Sequence, residues 1–311
     1  MQYRTLGHTG LSVSTLAYGA SPLGGVFGNI NEAEGIRTVH AALDQGINLI
    51  DCSPYYGLTQ AETVLGKALK SVPRDRYLLS TKAGRYGSEA RDFDMSETRI
   101  RRSLDESLER LGVEYVDLFF LHDIEFVDLG IVLNESLPCL EQLKREGRIR
   151  YYGVTGYPLK PFREVVRQFD IDCLLTYCRY ALHDTSLTSL LPELDDKGVG
   201  VINASPTAMG LLTERGAPDW HPCSDALKAR ARKAVAYCRE QGVDITQLAM
   251  QFATQHSSIP TTLVGTANPA NIDKNIRWME KPIDQALVAE VQALLDGTDS
   301  VWSSGLAVNN D

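Results

Sequence analysis

Four polar residues stand where short apolar runs end, and their types suit proton transfer. Residues 47–50 run out into Asp51-Cys52-Ser53-Pro54-Tyr55-Tyr56-Gly57, the run 77–80 ends in Thr81-Lys82, and 115–121 ends in His122-Asp123. A free phenol has a pKa of about 10, too high for a base at neutral pH. A neighbouring ammonium favours phenolate, so Lys82 is expected to lower the tyrosine pKa. Asp51 would hold Lys82 charged and oriented. His122 would hydrogen-bond and position the oxygen of a hydroxyl or carbonyl substrate. Plainer readings exist: Asp51 as a turn cap, Tyr55 or Tyr56 as a rim aromatic, His122 as a structural histidine. Lys82 resists one, because a lysine ending a buried strand must be paired or shift its pKa. None of these groups moves a hydride, so redox chemistry here requires a cofactor.

Such residues need a scaffold that brings successive strand ends to one rim. Residues 2–13 alternate around Gly7 and His8-Thr9-Gly10, a hairpin signal. Strands are expected at 15–19, 47–50, 77–80, 115–121, 151–154, 173–175, 199–203 and 261–264. Between them lie helical faces: Ile36, Val39 and Leu43 behind the capping pair Asn31 and Glu34 and before Gly46; Ile100, Leu104, Leu108 and Leu111 before Gly112; Leu137, Leu140 and Leu143. Phe162, Val165 and Val166 mark another helix, with further helices expected near 186–197 and over 225–255. About eight apolar, unalternating strands alternating with helices predict an α/β fold, a (β/α)8 TIM barrel over 1–311 with an N-terminal β-hairpin and a C-terminal extra helix and tail. In such barrels the reacting groups sit at the carboxyl ends of the strands, where all four residues fall.

Composition narrows the partners. The 311 residues carry a formal net charge of −9, which argues against a nucleic-acid or anionic-membrane surface. Cys52, Cys139, Cys173, Cys178, Cys223 and Cys238 are scattered, with no C-x-x-C pair, so no metal site is expected and most should be buried apolar residues. The polar, alternating N-terminus does not read as a signal peptide, and no apolar run has the length of a membrane span. A reducing, cytoplasmic setting is the expectation. Gly24-Gly25 is a loop signal and no phosphate motif.

At its polar strand ends the sequence resembles the aldo-keto reductase family, whose tetrad is Asp, Tyr, Lys and His, with the Tyr five residues after the Asp and before a Gly. That implies catalytic Asp51, Tyr56, Lys82 and His122. The resemblance runs over essentially the whole chain and is strongest toward the branch of sugar 1-dehydrogenases acting on L-galactose-like aldoses. It is carried by GASPLGGVFG, DCSPYYG, HDIEF, YPLKPF, LTYCRYALHD, ASPTAMGLLTE and PDWHP. Cofactor contacts it implies are Gly19, Ala20 and Ser21; Thr155 and Tyr177; Ser205, Pro206, Ala208, Gly210 and Leu211 over the pyrophosphate; and Gly265, Thr266, Asn271 and Asn275. The strand-five Ser-Asn pair that holds the carboxamide is Thr155-Gly156 here, without the amide, and the strand-six glutamine position is Tyr177. The substrate would meet Tyr56, His122, Asp123, Phe126 and Trp302.

The resemblance implies NAD-dependent oxidation of the anomeric hydroxyl of a free aldose, such as L-galactose, L-fucose or D-arabinose, to the lactone. NAD is expected over NADP because the usual basic positions of the strand-eight loop are Gly265, Asn268 and Asn271, with Lys274 the nearby exception. The protein would be a monomer or small homo-oligomer. Alternatives are an NAD(P)H-dependent aldehyde reductase, a pyridoxal-type dehydrogenase, a Schiff-base aldolase working through Lys82, and a nicotinamide-binding sensor without turnover.

Overall fold

Strands buried on both faces need helices outside and side chains filling the inside, and the chain supplies both. The structure is a computed structural model describing residues 1–26, 28 and 30–311. Phe27, in the stretch 19–28 quoted above, and Asn29 lie outside the described residues. The antiparallel hairpin of β1 (Tyr3–Thr5) and β2 (Ser12–Ser14) precedes a closed parallel barrel. Its strands are β3 (Leu16–Gly19), β4 (Leu49–Asp51), β5 (Leu78–Ala83), β6 (Val116–Leu121), β7 (Ile149–Gly156), β8 (Cys173–Tyr177), β9 (Gly200–Ala204) and β10 (Thr261–Gly265), with β10 pairing back to β3. The expected barrel is the one observed.

The helices are α1 (Glu32–Asp44), α2 (Gln60–Leu69), α3 (Glu97–Leu111), α4 (Leu129–Ile131), α5 (Leu137–Arg145), α6 (Leu159–Gln168), α7 (Leu191–Asp196), α8 (Asp225–Glu240), α9 (Ile245–Ala253), α10 (Pro269–Met279) and α11 (Gln285–Leu295). Asn31 caps α1 by accepting from the Glu34 N–H, and Gly112 ends α3 in the left-handed conformation. The structure departs from expectation at three places. The expected helix over 225–255 is two helices, α8 and α9, broken around Gly242. Helices α2 and α10 lie where only connecting segments were expected. Helix α11 packs Leu287, Val291 and Leu295 with Leu227, Ala231 and Ala234 of α8 as a second apolar core.

Side-chain alternation along each strand decides what reaches the barrel interior. Ala17, Leu49, Leu118, Phe120, Cys173, Leu175, Ile202 and Leu263 form the interior core, closed at the amino ends of the strands by Leu6, Leu11 and Val13 of the hairpin. Their neighbours Leu16, Ile50, Leu79, Phe119, Leu174 and Val201 face the helices. The next inward position on each strand therefore opens at the carboxyl end. Those positions are Gly19, Asp51, Lys82, His122, Thr155, Tyr177, Ala204 and Gly265, and all of them line one cavity of about 600 Å³.

Candidate active site

Parallel pairing places Asp51 opposite Ser80 on β5, and two residues further along β5 the Lys82 side chain turns into the mouth. Lys82 is 1 % exposed. Its Nζ donates to Asp51 Oδ1 at 2.6 Å, to the Cys52 carbonyl at 2.7 Å and to Tyr56 Oη at 3.3 Å. Three N–H groups thus meet three acceptors, which is what keeps a buried ammonium charged. Ser80 Oγ donates to the other Asp51 oxygen at 2.7 Å. Burial pulls the Lys82 pKa down, but Asp51, Tyr56 and Cys52 together push it above the usual lysine range.

Tyr56 sits on a sharp turn that only a glycine completes. Gly57 has φ +62°, and a Cβ there would strike the Gly24 backbone. The turn leaves Tyr56 beside Lys82 and sends Tyr55 to the rim, under the Arg85 guanidinium at 3.8 Å from its ring centroid. The expected lowering of the tyrosine pKa is not the net outcome. Burial dominates and pushes Tyr56 up to about 12, while Lys82 pulls the other way. At neutral pH Tyr56 is therefore a phenol, with Lys82 limiting the rise.

His122 follows β6, with its ring edge-on to Tyr56 at 5.6 Å between centroids. Its Nδ1 lies 2.9 Å from Ser53 Oγ, and its Nε2 lies 3.6 Å from Asp123 Oδ2. Burial is the main reason its pKa falls to about 3, so the imidazole is neutral. Asp123 is ion-paired with Arg85 and accepts at Oδ1 from Thr155 Oγ1, 3.4 Å away. Burial alone would raise its pKa, but the Arg85 guanidinium, ion-paired with it, holds it below the usual carboxylate value.

The glycine at 156 has a physical cause. Glu125, fully buried, aims Oε2 at the space a Cβ on Gly156 would need. Its Oε1 accepts from the Tyr157 N–H at 3.1 Å and from Ser304 Oγ at 2.9 Å. Burial, and then the nearby Asp123, push its pKa up to about 8. Ser304 belongs to the tail, which the Glu125 carbonyl also holds through Leu306 N–H and Asn309 Nδ2. That anchorage sets Trp302 stacked on Tyr157 at 4.6 Å, with its backbone N–H on Tyr157 Oη. We expect Gly156→Asn, which restores the amide, to destabilise the fold by about 1–3 kcal/mol through overpacking. Thermal or urea unfolding of the variant measures this, and an unchanged midpoint would mean that Glu125 can swing away.

A second cavity of about 650 Å³ continues from the first through Ser21, Ser205, Met209, Leu263 and Gly265. Gly19, Thr155 and Tyr177 line the inner cavity, as do Asp123, Phe126 and Trp302. Pro206, Gly210, Thr266, Asn271 and Asn275 line the outer one. Ala20, Ala208 and Leu211 line neither. Ala20 is buried in the core, its N–H donating to the Asp51 carbonyl, while Ala208 and Leu211 point down into the second apolar core. These two side chains anchor the loop to that core. The sequence reading gives no role to Arg85 at the inner mouth or to Arg215 and Trp278 in the outer cleft, and takes Tyr55 only as a rim aromatic and Glu34 only as a helix cap. None sits in a quoted motif position with a role. The signal available for Arg85 was its place three residues beyond Lys82, past the same strand end.

The sequence profile of the Aldo/keto reductase family matches residues 15–296. The chain belongs to the aldo/keto reductase family. It is 45% identical to L-galactose dehydrogenase of Arabidopsis thaliana, over 99% of each chain. It is 31% identical to D-threo-aldose 1-dehydrogenase of a Pseudomonas species, over 91% of this chain and 94% of the relative. The holo form of an aldo-keto reductase from Bacillus halodurans superposes with a TM-score of 0.80 at 25% identity, covering all of both chains. This aldo/keto reductase is an oxidoreductase, and the family's chemistry is nicotinamide-dependent. Its residues fit such a group. The joined cavities form a long cleft, with a hydroxyl and amides (Thr266, Asn271, Asn275) and the cation Arg215 toward one end, Ser205 at the junction, and Tyr56, Lys82 and His122 at the other end. Among the described residues, no helix is long and apolar enough to cross a membrane, and all six cysteines are buried and unpaired.

Proposed function

We propose that this aldo/keto reductase is a sugar 1-dehydrogenase that oxidises the anomeric hydroxyl of a free aldose to its lactone, with NAD preferred over NADP. The observation that carries the reading is the Tyr56 hydroxyl held 3.3 Å from the Lys82 ammonium in a cavity that also presents the Asp123–Arg85 pair. An apolar aldehyde would leave that pair without hydroxyl partners; a sugar supplies them. The names of the two sugar dehydrogenases similar to the chain support the same substrate class.

When bound, the nicotinamide takes up the hydride in oxidation and supplies it in reduction. The protein manages the proton and the geometry. Tyr56 reacts from its phenolate form, which Lys82, fixed by Asp51 and Cys52, stabilises; it takes the anomeric hydroxyl proton and becomes the phenol. Loss of that proton and of the C1 hydride converts a cyclic hemiacetal into a lactone. His122 holds the reacting oxygen, and Asp123 accepts from a sugar hydroxyl while Arg85 keeps it ionised. In reduction Tyr56 returns the proton as an acid. Steady-state rates on a panel of aldoses and simple aldehydes, each with NAD and NADP, test the reading. The expected result is a higher kcat/KM on aldoses; turnover of unhydroxylated aldehydes alone would make the protein an aldehyde reductase.

The cofactor preference rests on the outer cleft. Lys274 Nζ is engaged by Asp244 at 3.3 Å and lies over the Trp278 ring at 4.3 Å. Asn271 donates to Thr266 Oγ1 at 3.0 Å, a neutral surround suited to a ribose 2′-hydroxyl and without a fork for a phosphate. Arg215, which reaches the cleft from the loop that carries Ser205 and Gly210, is assigned to the pyrophosphate. Asn271→Arg should shift the ratio of kcat/KM values toward NADP by about 1.5–3 kcal/mol, the worth of a charge-assisted hydrogen bond. A wild-type preference for NADP would show instead that Lys274 leaves Asp244 for the phosphate.

A further inference from the structure

Which ring nitrogen of His122 carries the proton determines whether it donates to the reacting oxygen or accepts from it. The answer lies in Ser53, in the turn that follows β4. Ser53 is fully buried. Its Oγ accepts from the Tyr55 N–H at 3.1 Å and lies 2.9 Å from His122 Nδ1. A hydroxyl has one hydrogen and two lone pairs. With the ring proton on Nδ1, Oγ would accept twice, and its own hydrogen would have no acceptor among the described residues. Leaving a buried donor unmade is the costly arrangement. With Nδ1 bare, the hydroxyl donates to it, and both the serine hydroxyl and Nδ1 are satisfied. The ring proton then sits on Nε2, which also has the Asp123 carboxylate on its side at 3.6 Å.

We infer that Ser53 is a positioning residue, holding His122 in the neutral tautomer protonated at Nε2 so that the ring donates to the substrate oxygen. Burial keeps the ring from taking a second proton. The consequence reaches across the turn. The Cys52 carbonyl holds Lys82 and the Ser53 hydroxyl holds His122, so two consecutive residues orient both partners of Tyr56. A donor at Nε2 steadies the oxygen whether it is a hydroxyl or a carbonyl, which an acceptor could not do for the carbonyl. The inference rests on the proposed placement of the reacting oxygen beside His122.

The test is the long-range proton–nitrogen-15 spectrum of the full-length, uniformly labelled protein. His122 is assigned by the signals lost in His122→Asn. The expected spectrum has a protonated Nε2 and a bare Nδ1; a proton on Nδ1 overturns the inference. In Ser53→Ala the proton should spread over both nitrogens, and kcat/KM for the best aldose should fall about fivefold to tenfold, with NAD binding unchanged. Ser53→Thr, which keeps the hydroxyl, should restore both. An Ser53→Ala enzyme with the wild-type tautomer and rate would overturn it as well. The wild-type spectrum decides the tautomer even if Ser53→Ala does not fold. It is read without substrate, so its outcome is separate from turnover on any sugar.

Discussion

Tyr56→Phe should bind NAD nearly as the wild type does and turn over at least about a hundredfold more slowly, the low end for loss of a general acid–base. The phenol lines the cavity and lies 3.3 Å from the Lys82 ammonium, which stabilises its base form. Its ring fills space that phenylalanine also fills, so the fold and the outer cleft should be unaffected. NADH titration and steady-state rates on one preparation separate the two effects. A kcat near normal would move the role to Tyr55, whose ring lies at the same mouth under Arg85. The pH profile carries a second expectation. With Tyr56 pushed up to about 12 in the ligand-free enzyme, kcat/KM for oxidation should climb as pH rises through the alkaline range, because the base form is the minor one. His122, held near 3, should add no inflection between about pH 5 and 8.

Lys82→Met should be comparably damaging to rate and, unlike Tyr56→Phe, should also lower stability. Asp51 would keep Ser80 as a partner but lose its counter-charge while still buried, and breaking such a pair costs about 3–5 kcal/mol. The Cys52 carbonyl would lose its donor as well. For Tyr56 the sign is fixed by the same geometry. Lys82 is what opposes the effect of burial, so removing it moves the alkaline rise in oxidation to still higher pH. Urea unfolding and pH–rate profiles measure both consequences. A variant with wild-type stability and an unshifted profile would mean that the Asp51–Lys82–Tyr56 chain does not act as a unit.

Much of this was legible in the sequence for a simple reason. In a parallel barrel, chemistry gathers at strand ends, and the ends of four consecutive strands are marked by Asp51, Lys82, His122 and Thr155. The period of two then sorts inward from outward positions with no further input. Helix α2 was missed because Thr59, at its start, is in the left-handed conformation and offers no side-chain cap, and Gly66 interrupts the run. Helix α10 has a readable start, Asn268 capping and Pro269 in the first turn, inside a segment whose resemblance points to cofactor contact. The break at Gly242, with Asp244 capping α9, was equally readable. Other features depend on packing that no local pattern records. The upward pKa of Tyr56 comes from burial among residues far apart in sequence. The inward turn of Ala208 and Leu211 depends on a core built by α8 and α11. Gly156 reads as a missing amide until Glu125 is seen filling its place.

The most direct measurement uses an aldose deuterated at C1, with NAD and the wild-type enzyme. The account predicts that deuterium appears in the reduced nicotinamide, that the lactone forms in equal amount, and that the rate falls relative to the protiated sugar wherever bond cleavage limits turnover. Reduced cofactor free of deuterium, or sugar consumed without lactone, would contradict a C1 dehydrogenase built around Tyr56.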